Sequence, residues 1–334
     1  MDQTRVGATA RCKAPVFVLG CGRSGTTLLY HMLLSAGGFA IYRAESNAIN
    51  LLEPRFGNLS SRRNKERLMD AWLASKLFDR SGLDAGMIKA RMMAECRNGG
   101  DFLRILMGEI ARSQHVERWA ECTPEHLLHL KRIKETIPEA LIIHIIRDGR
   151  DVALSNAKLG YVRRAWWDHS PNVLACGLYW EWIVRKGRAD GSKLGADYTE
   201  VRFEDLTSNP RLVLARLSAF IEQELDYDHI REVGIGSVSE PNTSFKEDAE
   251  GDFNPIGRWK SGYTSELLAT FEGLVGGFLE ELGYALGSSD RSPRNRWDLR
   301  QMRVLYKNYF DTKLWLKART PLGRVFVTKD LSWL

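Results

Sequence analysis

Residues 20–27 read Gly-Cys-Gly-Arg-Ser-Gly-Thr-Thr. Gly20 and Gly25 keep the glycine spacing of a Walker phosphate loop, and Thr27 stands where that loop carries its magnesium-binding hydroxyl. The lysine position holds Thr26 instead, and a cation, Arg23, has moved inside the loop. Backbone N–H groups at a helix start form an anion nest, strengthened by the helix dipole. Ser24, Gly25, Thr26 and Thr27 would therefore grip a phosphate-like group. A γ-phosphoryl group carries high charge and is normally moved with lysine and magnesium. A sulfuryl group carries less, so one arginine with several amides and hydroxyls can stabilise its transfer without a metal. A glycine-rich turn taken alone is also compatible with no ligand at all.

A second segment, Ile145-Ile146-Arg147-Asp148-Gly149-Arg150-Asp151-Val152-Ala153-Leu154-Ser155, places Arg147 at the end of an apolar run and Ser155 about two helical turns later. Ligands of open α/β sheets gather at the carboxyl ends of strands. The guanidinium fork matches phosphate oxygens, so Arg147 is suited to a second phosphate. The competing reading makes Arg147, Asp148, Arg150 and Asp151 a surface ion-pair cluster. No Walker-B strand ending in aspartate is evident, because Arg147 precedes Asp148.

Elements must exist to position these groups. Residues 15–20 read as a buried strand and 25–36 as a helix, with Ser24 placed to cap it and Gly37-Gly38 closing it. Further strands are expected at 39–42, 116–121, 140–146 and 198–203. Further helices are expected at 64–79, 101–114 (after a Gly-Gly break at 99–100), 125–136, 149–158, 172–190, 210–222, 264–282 and 296–319. The continuous apolar run at 140–146 suggests a strand covered on both faces, as in parallel sheets. Strands alternate with helices to residue 222. The expected fold is therefore α/β: a P-loop-like three-layer fold with a central parallel sheet, helical insertions at 60–115 and 160–190, and a helical C-terminal tail. One domain spans 1–290. A linker at 287–295 leads to a basic, aromatic-rich extension, 291–334.

The chain has 334 residues, 44% apolar and 27% charged, which suits a globular protein. Residues 291–334 hold eleven basic and three acidic residues, so the formal +6 of the whole belongs to the tail and the body is nearly neutral. A nucleic-acid footprint would spread basic charge over the body, so no nucleic-acid partner is expected. Five cysteines at irregular spacing, with no C-x-x-C pair, fit neither a disulfide framework nor a zinc site. No apolar run is long enough for a signal peptide or a membrane span. A soluble, cytoplasmic protein is expected.

The two anion-binding segments together resemble those of sulfotransferases that use 3′-phosphoadenosine 5′-phosphosulfate (PAPS). Residues 23–27 resemble the family's 5′-phosphosulfate loop, and Arg147 with Ser155 its 3′-phosphate signature. Val201-Arg202-Phe203-Glu204-Asp205-Leu206 resembles its late strand motif, where the family often has tyrosine at the Phe203 position. Ile256-Gly257-Arg258-Trp259-Lys260 resembles the late loop that closes over the nucleotide. Arg43-Ala44-Glu45-Ser46 is more similar to the bacterial and tyrosylprotein branch than to the cytosolic steroid and phenol enzymes. The resemblance implies transfer of SO3 from PAPS to a hydroxyl, with adenosine 3′,5′-bisphosphate (PAP) as product, no metal, and direct in-line chemistry. It implies Glu45 as general base and Arg23 as the cation at the leaving oxygen. Thr26 and Thr27 would serve the 5′-phosphate, Arg147, Ser155 and Arg258 the 3′-phosphate, and Trp259 either the adenine or the core. His126 is the fallback base. Trp119-Ala120-Glu121-Cys122-Thr123-Pro124 departs from the family, which usually has lysine at the Cys122 position. The acceptor could be a sugar, a lipid, a natural product or a peptide tyrosine, with aromatic residues at 161–182 shaping its pocket. The alternatives are a P-loop small-molecule kinase using ATP, which Thr26 argues against, and a catalytically silent nucleotide-binding protein, which Cys122 and Phe203 would suit. The tail helix could pack on its own domain, pair with a second subunit, or lie on an acidic membrane surface.

Overall fold

The structure, a computed structural model, describes residues 11–243, 254–288 and 296–320. Five strands form one parallel sheet: β1 (Val16–Gly20), β2 (Phe39–Ala40), β3 (Arg118–Glu121), β4 (Leu141–Ile146) and β5 (Tyr198–Arg202), in the order β2-β3-β1-β4-β5. Strand alternation divides the core. Phe17, Leu19, Ile142 and Ile146 join the cluster on one face, and Val16, Val18, Ile143 and Ile145 join the cluster on the other. Both faces are covered, which is why β4 is apolar at every position but His144.

Register sets the site. Gly20 pairs with Ile145, so the carboxyl ends of β1 and β4 lie side by side. The phosphate loop leaves one end and Arg147 leaves the other. Gly20 has to be glycine, because a Cβ there would sit 2.6 Å from the Ile145 carbonyl. After the loop comes α1 (Thr26–Ser35). The insertion between β2 and β3 supplies α2 (Arg62–Leu73), α3 (Ala85–Glu95) and α4 (Gly99–Ser113). Then come α5 (Leu130–Thr136), α6 (Gly149–Leu159) after β4, α7 (Asn172–Gly191), α8 (Pro210–Ile221), α9 (Ser265–Glu281) and α10 (Arg296–Arg319).

Several expectations change. Ser24 does not cap α1. Gly25 is the N-cap residue, at φ 95°, with the Phe203 ring filling the space a Cβ would need. Gly99 and Gly100 do not break a helix but start one, because Asn98 caps it by accepting from the Asp101 N–H at 3.0 Å. The strand expected at 39–42 stops at Ala40, because the Gln114 side chain takes both the Ile41 N–H (2.7 Å) and the Ile41 carbonyl (3.0 Å). The helix expected at 64–79 divides at Ser75, whose hydroxyl bonds the Trp72 carbonyl. The helix expected at 125–136 opens with a 3-10 turn, Pro124–His129. β5 ends at Arg202, and Phe203 begins a short helix. Most of the linker, 289–295, lies outside the described residues.

The tail helix packs on its own domain. Tyr306 and Phe310 are buried in the core cluster that contains α7 residues. Tyr306 Oη donates to Asp168 Oδ2 (2.6 Å) and accepts from the Ala165 N–H (3.0 Å). Asp311 accepts from Trp182 Nε1 and pairs with Lys186, both at 3.0 Å.

Candidate active site

The phosphate loop is built by backbone conformation. Arg23 (φ 73°) and Gly25 (φ 95°) are both left-handed, on either side of Ser24. A left-handed arginine is strained, and such strain persists only where the surroundings enforce it. Here they do, because side chains of the second segment take the loop carbonyls. Asn156 Nδ2 donates to the Gly22 carbonyl (3.1 Å) and Arg147 Nη1 to that of Arg23 (3.2 Å). Ser24 is fully buried, and its Oγ has no partner among the described residues.

Arg147 is held from three sides. Its guanidinium lies 4.5 Å from the Phe203 ring centroid, donates to the Pro255 carbonyl at 2.5 Å, and stands 3.8 Å from Asp151. Its Nε is buried without a partner among the described residues. Arg23 Nε donates to Ser155 Oγ at 3.0 Å, so Arg23 spans from the first cradle to the second. Burial lowers the pKa of both arginines. At Arg147, Asp151 and Glu204 oppose that effect, while Arg258 and Arg23 add to it. Guanidiniums from two distant parts of the chain, Arg23 and Arg258, thus press on Arg147.

The late loop reaches this cluster through Asp151. That buried carboxylate accepts from the Gly257 N–H (2.9 Å) and the Trp259 N–H (2.8 Å). Arg258 is oriented by Thr243 Oγ1 (2.9 Å) and the Asn254 carbonyl (3.1 Å). Trp259 is half-buried, with Arg150 stacked 3.7 Å from its ring centroid. Asp148, Arg150 and Asp151 are buried, so the surface ion-pair reading of this segment does not hold. Arg150 is locked to Asp148 and Glu272, each at 2.7 Å.

On the other side of the loop, Glu45 is exposed on a segment tied to the end of β3. Ser46 Oγ donates to Glu121 Oε1 (2.7 Å), and the Asn47 N–H donates to Thr123 Oγ1 (3.2 Å). Cys122 lies beneath. Burial raises its thiol pKa well above the usual range, the Glu45 and Glu121 carboxylates add to this, and a hydrogen bond with Thr26 only partly offsets it. Glu45 and the phosphate-loop Thr26 therefore flank one protonated thiol, which cannot supply the positive charge that the family resemblance led one to expect at this position. His126 is not available as a base. It is fully buried, Nδ1 is 3.0 Å from Glu121 Oε2, and Nε2 accepts from the Ile49 N–H at 3.2 Å. His31 Nδ1 accepts from the Ser237 N–H at 2.9 Å and anchors the turn that leads to Asn242 and Thr243.

In the aromatic stretch, Trp180 is fully buried, and Tyr179 and Trp182 pack against Phe310 of α10. Tyr161 and Trp166 remain exposed, and Tyr161 is close enough to influence Arg23. Sequence reasoning missed the roles of Asp151 and Asn156. The signal was present: Asp151 and Ser155 are four apart, and so share one face of α6 beside Arg147. Among the described residues no three His, Cys, Asp or Glu are grouped as a metal site.

A phosphate loop after the first strand of a parallel sheet, facing a knot of arginines, defines a nucleotide-dependent transferase. The sequence matches the sulfotransferase family model over residues 15–227, well over half its length, and the chain belongs to that family of PAPS-dependent enzymes. This sets aside the kinase and silent-binder alternatives. No curated protein matches. The fold is similar to that of the sulfotransferase domain from the Synechococcus PCC 7002 olefin synthase, with 19% identity, 82% of this chain and 96% of that chain covered, and a TM-score of 0.53. The sulfotransferase domain from the curacin biosynthetic pathway is 13% identical over 82% of this chain and 99% of that one, at a TM-score of 0.49. A retinol dehydratase solved with retinol and PAP is 16% identical over 86% of this chain and 85% of that one, at 0.43.

Proposed function

We propose that PAPS binds across the Arg23–Arg147–Arg258 cluster and that Glu45 is the base for a hydroxyl acceptor. The observation that carries this is the Arg147 guanidinium, set against Arg23 and Arg258 and beside two buried donors with no partner among the described residues, Ser24 Oγ and Arg147 Nε. Asp151 and Glu204 offset only part of this positive charge, and a nucleotide with phosphates at both ends fits both cradles. When bound, the nucleotide supplies the sulfuryl group. The loop amides, Ser24, Thr26 and Thr27 hold the 5′ end, while Arg147, Ser155 and Arg258 hold the 3′-phosphate. Glu45 takes the acceptor proton as the new O–S bond forms. Arg23 neutralises the charge left on the 5′-phosphate oxygen as the old S–O bond breaks. With Cys122 neutral, Arg23 does this without a lysine partner. Trp259 edges the adenine site while stacking on Arg150.

The acceptor is a hydroxyl of a sugar, lipid, natural product or peptide tyrosine, entering past Tyr161 and Trp166. Residues 1–290 form the catalytic domain and 291–334 an extension. The five unpaired cysteines fit a reducing cytoplasm. The test is thermal stabilisation by PAP against ADP. At a hundredfold excess over Kd, PAP should contribute about 2.7 kcal/mol, or roughly 5 °C in Tm. An equal or larger shift with ADP would reject the 3′-phosphate assignment.

A further inference from the structure

The inner face of α10 is buried, but no other described residue covers its outer face. Trp297 (68% exposed), Val304 (53%), Leu305 (53%) and Trp315 (53%) are among its exposed large apolar residues. Trp297 and Trp315 are eighteen positions apart, about five turns, so they point the same way at roughly 27 Å separation. Val304, seven positions or almost two full turns from Trp297, continues the line, and Leu305 widens it. Trp297, Arg300, Gln301, Val304 and Leu305 line one open groove of about 520 Å³. Arg300 and Lys307 run along one flank. By sequence the helix carries seven basic and two acidic residues; Arg303 is paired with Glu181, Lys317 with Glu125 and Lys307 with Asp311, which Lys186 also meets.

We propose that this outer face docks on an anionic lipid bilayer, lying in the interface rather than crossing it. A face with indole side chains at both ends, Val304 and Leu305 between them among the polar Gln301 and Asn308, and a basic flank matches an interfacial helix. Tryptophan favours the headgroup level, and each basic side chain is drawn to anionic lipid. Among the described residues no helix is long and apolar enough to span. A second copy fits less well. One helix face of about 36 Å by 10 Å offers roughly 360 Å², below the ~800 Å² per partner of a stable dimer. Two copies would also bring two basic helices together. The same helix grips the 165–168 segment through Tyr306, which joins the docking face to the loop bearing Tyr161 near Arg23. The proposal is independent of the nucleotide assignment.

The full chain should co-sediment with vesicles of phosphatidylcholine containing phosphatidylglycerol, not with phosphatidylcholine alone, and should be released by added salt. The Trp297→Ser/Trp315→Ser double variant should bind at least tenfold more weakly, with Tm and the PAP-induced shift unchanged, since both side chains are solvent-exposed. Arg300→Glu should weaken binding in the same assay and leave Tm unchanged. Three results would overturn the proposal: no pelleting of the wild type with anionic vesicles, equal pelleting of the double variant, or a wild-type dimer in solution that the double variant converts to monomer.

Discussion

Glu45 and Cys122 show how little charge this site keeps on the acceptor side of the phosphate loop. The thiol is protonated and buried, and its neighbours Glu45 and Glu121 keep it so. Glu121 is spent on Ser46, Thr123 and His126. Its pKa is lowered even though burial pushes the other way, because His126, Thr123 and Ser46 together outweigh burial. Glu45, exposed and on a tethered backbone, is the carboxylate we propose as the base. Replacing it by Gln keeps the size and removes the proton acceptor. Transfer measured with labelled PAPS should fall by about 10²–10⁴, the usual worth of a general base, while stabilisation by PAP stays at the wild-type value. Turnover within a few fold of wild type would remove Glu45 from the base role. Loss of the PAP shift would mean instead that Glu45 shapes the nucleotide site.

At the scale of elements, the late loop is held by one side chain of α6. Asp151 accepts two backbone N–H groups from 257–259 and faces Arg147. Burial raises its pKa, the Arg147 guanidinium counters that, and the loop N–H groups then help to keep it ionised. An amide can accept from only one of those N–H groups and turns its own N–H₂ toward the other. Asp151→Asn should therefore weaken PAP binding by about 5- to 150-fold, the range of one unmet buried hydrogen bond, and act on kcat far less. A change confined to kcat would show that the loop does not depend on this latch. The same region shows what the sequence could and could not disclose. The anion loop and Arg147 with Ser155 stood out because their spacing is local and their chemistry is written in residue type, whereas Arg258-Trp259 came from the family resemblance. A parallel sheet was implied by alternation and by the apolar run at 140–146, but its strand order was not. What stayed hidden depends on contacts distant in sequence. Gln114 ending β2, Phe203 filling the space beside Gly25, and Asn156 bracing Gly22 leave no periodic signal. The helix Ala85–Glu95 escaped for a different reason: its sequence is nearly even in polarity around the axis, so it has no strong apolar stripe to detect.

For the molecule as a whole, the buried histidines set a limit on acid stability. His144 sits in the middle of β4, fully buried and 2.7 Å from Tyr198 Oη, and burial followed by Arg188 lowers its pKa to about 3. His31 lies under the turn that carries Asn242 and Thr243 toward the arginines, and burial followed by Arg43 lowers it to about 4. His129 shifts in the same direction, to about 3. A histidine whose pKa is lower in the fold than in the unfolded chain binds its proton only on unfolding. Stability is therefore complete above about pH 6.5 and declines as pH falls from there toward 4 and 3. For His144 and His31 together the loss by pH 5.5 is roughly 3 kcal/mol, or about 5 °C in Tm. Asp151 and Glu204, whose pKa values burial raises, act with the opposite sign. Thermal unfolding followed from pH 7.5 to 5.5 should show the decline, and PAP stabilisation should shrink with it as the His31 turn loosens beneath Arg23 and Arg258. A Tm that stays flat across that range would mean that His31 and His144 already accept their protons within the fold, and that the turn under the nucleotide site is not held by a neutral imidazole.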